Sequence, residues 1–135
     1  MMHNMMRPQW GGANDVAKVL ADTIGLTPST QPLYTQPTEL QLYVNTLSKD
    51  VDRDIVVMDV NKNIIADTVA ANKGTTYGYD NQGEVMATMK DGKIRSFIEK
   101  STDYTQGITE MVYQLKNAQG GVVGALLVST ASLGQ

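Results

Sequence analysis

No cysteine occurs among the 135 residues. That absence excludes disulfides, thiolate zinc sites, iron–sulfur clusters and covalent c-type haem attachment. It does not fix the compartment. Histidine is almost as scarce: His3 is the only one, and it sits in an irregular lead-in, so a Ser-His-Asp arrangement would need a terminal residue to fold back. No phosphate-cradling Gly-Lys-Ser/Thr loop and no dinucleotide fingerprint occurs. Asp52 and Asp54 flank Arg53, a spacing that suits a capped, solvated strand start better than a catalytic acid pair. The residues thus point away from an enzyme, and no cofactor is expected.

A surplus of positive charge is also missing. Eleven Lys and Arg against 14 Asp and Glu leave a net charge of −3. No basic face is available to neutralise phosphates, so no nucleic-acid partner is expected. No like-charge block suggests a tail or a membrane-surface helix. The longest apolar run, Gly121 to Val128, has strand length and falls far short of the roughly 20 residues of a membrane span. Met1 to Gly12 has neither the charged start nor the apolar core of a signal peptide. A membrane is therefore expected only through flanking segments absent from this chain.

What is present describes an ordinary globular domain, 41% hydrophobic and 19% charged, of a size usual for one domain. Residues 1–37 read as a lead-in, a short helix and a Pro-rich linker; 38–135 read as the domain proper. Met1, Met2, Met5, Met6 and His3 are soft ligands suited to copper(I), against the simpler reading of an unstructured start; no metal site is assigned. Asn14 suits the cap of a short helix with Val16, Leu20 and Ile24 on one side and Gly25 as its stop. Thr38 and Gln41 fit a capping box. Leu40, Val44, Leu47 and Val51 follow as one apolar stripe, with Gln41, Asn45, Ser48 and Lys49 opposite. The stripe fits packing on a sheet or a dimer seam.

Ile55 to Val60 is apolar on both alternating faces apart from Asp59, which predicts a central, covered strand. Asn61-Lys62-Asn63 forms a tight turn, since Asn tolerates left-handed backbone angles, and Ile64 to Thr68 returns antiparallel. Ala70 to Gly83 is a polar loop. Glu84 to Lys90 suits a short helix with Val85, Met86 and Met89 inward, and Asp91-Gly92 a turn. Ile94 to Glu99 alternates, with Arg95, Phe97 and Glu99 on one face. A second polar loop precedes a strand at about Ile108 to Leu115. "KNAQGG" turns the chain, and Val122 to Thr130 is the last strand. Segregated helices and strands joined by tight turns predict an α+β fold: a five-stranded antiparallel sheet with the N-terminal helices on one face, and loops and the short helix over part of the other.

From Arg53 onward the pattern resembles the single Cache (PDC) type of extracytoplasmic PAS-like sensor domain. The matching pieces are "RDIVVMDVNKNIIADT", "NKGTTYG", "GEVMATMKDGK", "IRSFIEKS" and "LKNAQGGVVGALLVST", about three-fifths of the chain. The resemblance implies a non-enzymatic, ligand-sensing domain of a bacterial signal-transduction receptor, located outside the cytoplasmic membrane and dimerising through its N-terminal helices. A small polar molecule (an amino acid, amine or small carboxylate) would bind between the sheet and its cover loops. The alternatives are a free-standing periplasmic binding protein, or a structural or dimerisation domain with a vestigial pocket.

Eight residues are the candidates for holding that ligand. Arg95, beside Phe97 on one strand face, suits a bidentate carboxylate clamp, or else pairs with a nearby acid at the surface. Tyr77, Tyr79 and Tyr104 offer an apolar wall with one hydroxyl each, or pack beneath their loops. Thr76 offers a hydroxyl, or serves only the turn. Asp67 and Glu110 fall where citrate and four-carbon dicarboxylate sensors of this broad class carry a His and an Arg. Two acids there would repel a dianion and permit a cationic or zwitterionic ligand, with Arg95 answering any carboxylate. The competing reading makes each acid a solvated strand-end residue.

Overall fold

The computed structural model describes residues 20–25 and 32–130. The Met/His-rich start and Asn14 lie outside the described residues. A helical segment, 20–25, is followed by a single 3-10 turn, Leu33–Thr35, and then by α1 (Pro37–Val51), β1 (Ile55–Asp59) and β2 (Ile64–Asp67). A second 3-10 turn, Ala70–Asn72, leads to α2 (Glu84–Asp91). Three strands follow: β3 (Arg95–Glu99), β4 (Ile108–Lys116) and β5 (Val122–Ser129). The strands form one antiparallel sheet in the order β2-β1-β5-β4-β3. The fold is α+β, with its two most continuously apolar strands, β1 and β5, side by side in the interior.

Their position explains their composition. Alternate residues of a strand face opposite sides, and both sides of this sheet are covered. Ile55, Val57, Leu126 and Val128 pack with Leu20, Ile24, Leu40 and Val44 under the N-terminal helices. Val56, Met58, Ala125 and Leu127 face the other way and meet Tyr77, Val85, Met89 and Phe97. Each buried Leu, Ile or Val stabilises the fold by about 2 kcal/mol relative to exposure. Gly124 pairs with Asp59 of β1, where a Cβ would stand 1.9 Å from the Met58 carbonyl oxygen.

Four local expectations are corrected. The capping box is not made: Gln36 occupies the N-cap without a side-chain bond and Pro37 takes the first turn, where a missing N–H costs nothing. Gln41 is drawn away to the backbone of Asp67, donating from Nε2 to its carbonyl (2.7 Å) and accepting its N–H at Oε1 (3.1 Å). Gln41 and, with its hydroxyl donating to the Arg53 carbonyl, Ser48 are buried although they lie opposite the apolar stripe. In the β1–β2 turn Lys62, not an Asn, adopts the positive φ of 67°. The Asp59 carboxylate there accepts the N–H groups of Asn61 (2.8 Å) and Asn63 (3.0 Å), and Lys62 is held by Asp80 (2.8 Å). Finally, α2 turns Val85, Thr88 and Met89 inward and leaves Met86 51% exposed.

Candidate functional site

Two loops, 68–83 and 100–107, close over the sheet face opposite α1 and enclose a cavity of about 200 Å³. Its floor is Val56 of β1, Ile64 and Asp67 of β2, Glu99 of β3 and Glu110 of β4. Its roof comes from the loops: Val69, Asn72, Thr75, Thr76, Tyr77 and Tyr79 from the first, Asp103 and Tyr104 from the second.

Strand geometry aims the acids. Glu99 has the parity of Phe97, and Glu110 that of Val112; Phe97 and Val112 belong to the core on this face. Asp67 and Ile64 are three residues apart and should face opposite sides. A bulge resolves this: Val56 pairs with Asp67, but Met58 pairs with Ile64. The extra residue, Ile65, reverses the alternation and brings both to the cavity.

Four carboxyl groups line this space: Asp67, Glu99, Asp103 and Glu110. Among the described residues no lysine, arginine or histidine lines it. Three of the four have donors. The Tyr77 hydroxyl donates to Glu99 Oε1 and the Ser101 hydroxyl to Oε2, both at 2.6 Å. Asn72 Nδ2 bridges Asp67 Oδ2 (3.3 Å) and Asp103 Oδ2 (2.9 Å), and the Val69 N–H donates to Asp67 Oδ1 (2.7 Å). Beneath them the Tyr104 hydroxyl donates to Asp54 Oδ2. Glu110 differs: only 1% exposed, it presents Oε1 with no hydrogen-bond partner.

Burial sets the protonation of two of these carboxyl groups. The Asp67 carboxyl is pushed up to about 7, chiefly by desolvation, with the Val69 N–H and Asn72 opposing and Asp103 and Glu99 reinforcing. Glu110 is raised well above the usual carboxylate range by burial, by the charge of the neighbouring Glu99 and by a side-chain hydrogen bond with it, which leaves Oε1 as the oxygen without a partner, and Asp54 and Asp67 add to the shift. The hydroxyls of Tyr77 and Tyr104 are raised by burial and by the carboxylates they donate to. They stay protonated and act as fixed donors.

Of the eight candidate residues, Asp67, Thr76, Tyr77, Tyr79, Tyr104 and Glu110 line the cavity. Tyr79 stands at the mouth, 45% exposed, with its ring edge-on to Tyr77 at 5.7 Å. Phe97 and Arg95 do not line it. Phe97 is buried in the core beside it, 6.2 Å from Tyr77 between ring centres. Arg95 forms a bidentate pair with Asp91 at 2.7 and 2.8 Å. Arg95 shares its face with Glu99, but four residues of strand put them roughly 13 Å apart. Glu99, Asp103 and Asn72 were not among the candidates. The alternation that chose Arg95 equally signals Glu99. Asp103 and Asn72 sit in loops, where periodicity says nothing.

No protein-family model and no curated protein sequence matches the chain. Solved structures do. The sensor domain of E. coli DcuS matches with a TM-score of 0.67 at 20% identity, over 90% of this chain and 86% of that one. The chain has the single-Cache sensor fold. The sensor domain of the V. cholerae histidine kinase DctB matches with a TM-score of 0.61 at 13% identity, over 90% of this chain and 44% of that one. An extracellular ligand binding receptor from Desulfohalobium retbaense matches at 0.62 and 12% identity, over 90% of this chain but 22% of its own length. The chain thus corresponds to nearly all of the first domain and to a part of the other two. At these identities the shared property is the Cache fold.

Proposed function

We propose that this chain is a ligand-sensing domain, non-catalytic and extracytoplasmic, that holds one small polar molecule in the cavity between sheet and cover loops. It would serve a membrane-anchored bacterial receptor and dimerise through its N-terminal helices. The observation that carries the reading is the cavity itself. It is formed where two loops roof the sheet, and it contains a buried carboxyl oxygen, Glu110 Oε1, with no protein partner. An unpaired buried polar atom is costly and rare, and a ligand that supplies the missing donor removes the cost. The likeness of the fold to sensor domains supports the same reading, and among the described residues no helix is long and apolar enough to cross a membrane.

The transmission route follows from the contacts. Asp67 lines the cavity, and its backbone is clasped by Gln41 of α1. A ligand that draws Asp67 inward shifts β2 against that helix, biasing a two-state equilibrium by its differential contacts.

A thermal-shift screen with amino acids, amines and small carboxylates tests the proposal. A ligand at 100 times its dissociation constant stabilises the fold by about 2.7 kcal/mol. Stabilisation by at least one small polar compound is expected. No shift across the library would leave the structural or dimerisation reading in its place.

A further inference from the structure

We propose that the cavity takes a small organic cation bearing one or two ammonium groups and no carboxylate, with Glu110 as its buried counter-ion. The inference rests on the ligand-sensing reading and names the chemistry of its ligand. Four carboxyl groups face one space without a lining cation, and only Glu110 has a buried oxygen with no donor. An ammonium group supplies both the missing charge and the missing N–H. Lys62 is paired with Asp80 and Arg95 with Asp91, and Lys73 and Lys100 of the roof loops are exposed and do not line the cavity. A carboxylate on the ligand would therefore enter an acidic space with no counter-charge, which disfavours amino acids as well as dicarboxylates.

The rest of the wall suits an alkylammonium. The Tyr77 and Tyr79 rings both line the space, edge-on to one another at 5.7 Å, and aromatic rings attract cations within about 6 Å of their centres. Val56, Ile64 and Val69 provide apolar surface for methylene groups. The volume, about 200 Å³, lies below the ~300–1,000 Å³ of drug-sized sites and above the ~150 Å³ that admits benzene. Among the described residues no group of three or more carboxyl or imidazole side chains is arranged to hold a metal ion, which favours an organic cation.

Protonation adds an independent signature. Asp67 is faced by Asn72, Asp103 and Glu99; Glu110 is faced by Glu99, Asp54 and Asp67, with Tyr77 and Tyr104 close by. Both carboxyls are held toward their neutral forms in the empty site. A bound cation favours the charged forms, so binding releases protons and weakens as pH falls.

Calorimetric titration of the chain with n-butylamine, putrescine and succinate tests this. At least one amine is expected to bind, with a heat that varies with buffer ionisation enthalpy and an affinity that drops between about pH 8 and about pH 6. Succinate is expected not to bind. Glu110→Gln should weaken the amine about thirtyfold or more while keeping the melting temperature, and Asp67→Asn should weaken it through a second wall. Arg95→Ala should leave it unchanged. Succinate binding that strengthens in Asp67→Asn, with no amine bound, would place a ligand in this cavity but overturn its class. Amine binding indifferent to both substitutions would overturn the counter-ion. Binding of none of the three compounds would overturn the proposal, and failure of the wider screen as well would take the ligand-sensing reading with it.

Discussion

Gln41→Ala is the perturbation that most sharply probes the link between helix and site. β2 is a terminal strand of the sheet, and its inner neighbour pairing runs through Thr68 N–H to Ile55 O at 3.0 Å. The N–H and carbonyl of Asp67 turn instead to the outer edge, where the Gln41 carboxamide takes both. One side chain thus does for this edge what another strand would do. Alanine leaves two buried backbone groups unpaired, at about 1–3 kcal/mol each. Its better helix propensity returns only a few tenths of a kcal/mol. Partial entry of water at the edge favours the lower part of the range, so a net loss of roughly 2–4 kcal/mol is expected. At about 4 °C per kcal/mol for a domain of this size, the melting temperature should fall by roughly 8–16 °C. Denaturant titration should show the same loss as a lower midpoint at unchanged slope. Asn45→Ala is the control. It removes the other partner of Gln41 Nε2, at 2.9 Å, and leaves the Asp67 backbone satisfied. A loss in Gln41→Ala below about 0.5 kcal/mol, typical of a surface substitution, would refute the clasp.

Two further outcomes follow from the same physics. Gly124→Ala places a methyl group 1.9 Å from the Met58 carbonyl oxygen, so β1 and β5 must separate at the centre of the sheet; loss of cooperative folding is expected by circular dichroism, and a native-like melt would contradict the close approach. For pH, Asp67 holds its proton up to about 7 in the folded domain, against 3.8 for the ordinary carboxyl. The folded state therefore binds more protons than the unfolded one across that window. Asp67 alone should cost the ligand-free domain up to roughly 4 kcal/mol as pH rises from about 4 to about 7. Asp67→Asn should make this loss smaller, with Glu110 keeping part of the slope, and an unchanged profile would contradict the assignment.

Much of the fold is legible in the residues, for identifiable reasons. β1 and β5 read as central because they are apolar on both parities, and an interior strand of a sheet covered on both faces requires that. Gly92 ends α2 at φ 77°, as the Asp-Gly pair implies. The first turn of α1 is misread, because a capping box is a local pattern and the Asp67 backbone, 26 residues away, competes for the same glutamine. The turn at Lys62 is misread for a similar reason: the Asp59 carboxylate organises the turn through its neighbours' N–H groups, which fixes where the positive φ falls.

The site divides along the same line. Tyr77, Asp67 and Glu110 are reachable from strand ends and glycine-bearing loops. Arg95 is not separated from Glu99 by alternation alone, since parity gives the face but not the end of the strand. The bulge at Ile65 reverses a parity that no local residue type announces. Consequently the acidic character of the cavity is stronger than the sequence suggests, with Glu99 and Asp103 joining Asp67 and Glu110, and the expected carboxylate clamp lies outside it.

The central claim is that the space beneath loops 68–83 and 100–107 is where a ligand sits. Amide chemical-shift mapping by NMR, titrating the chain with putrescine, tests it most directly. The account predicts saturable shifts concentrated at Asp67, Asn72, Thr76, Tyr77, Asp103 and Glu110, with smaller ones passing to Gln41. Shifts confined to the outer surface of α1 or to the Met86 face would contradict it.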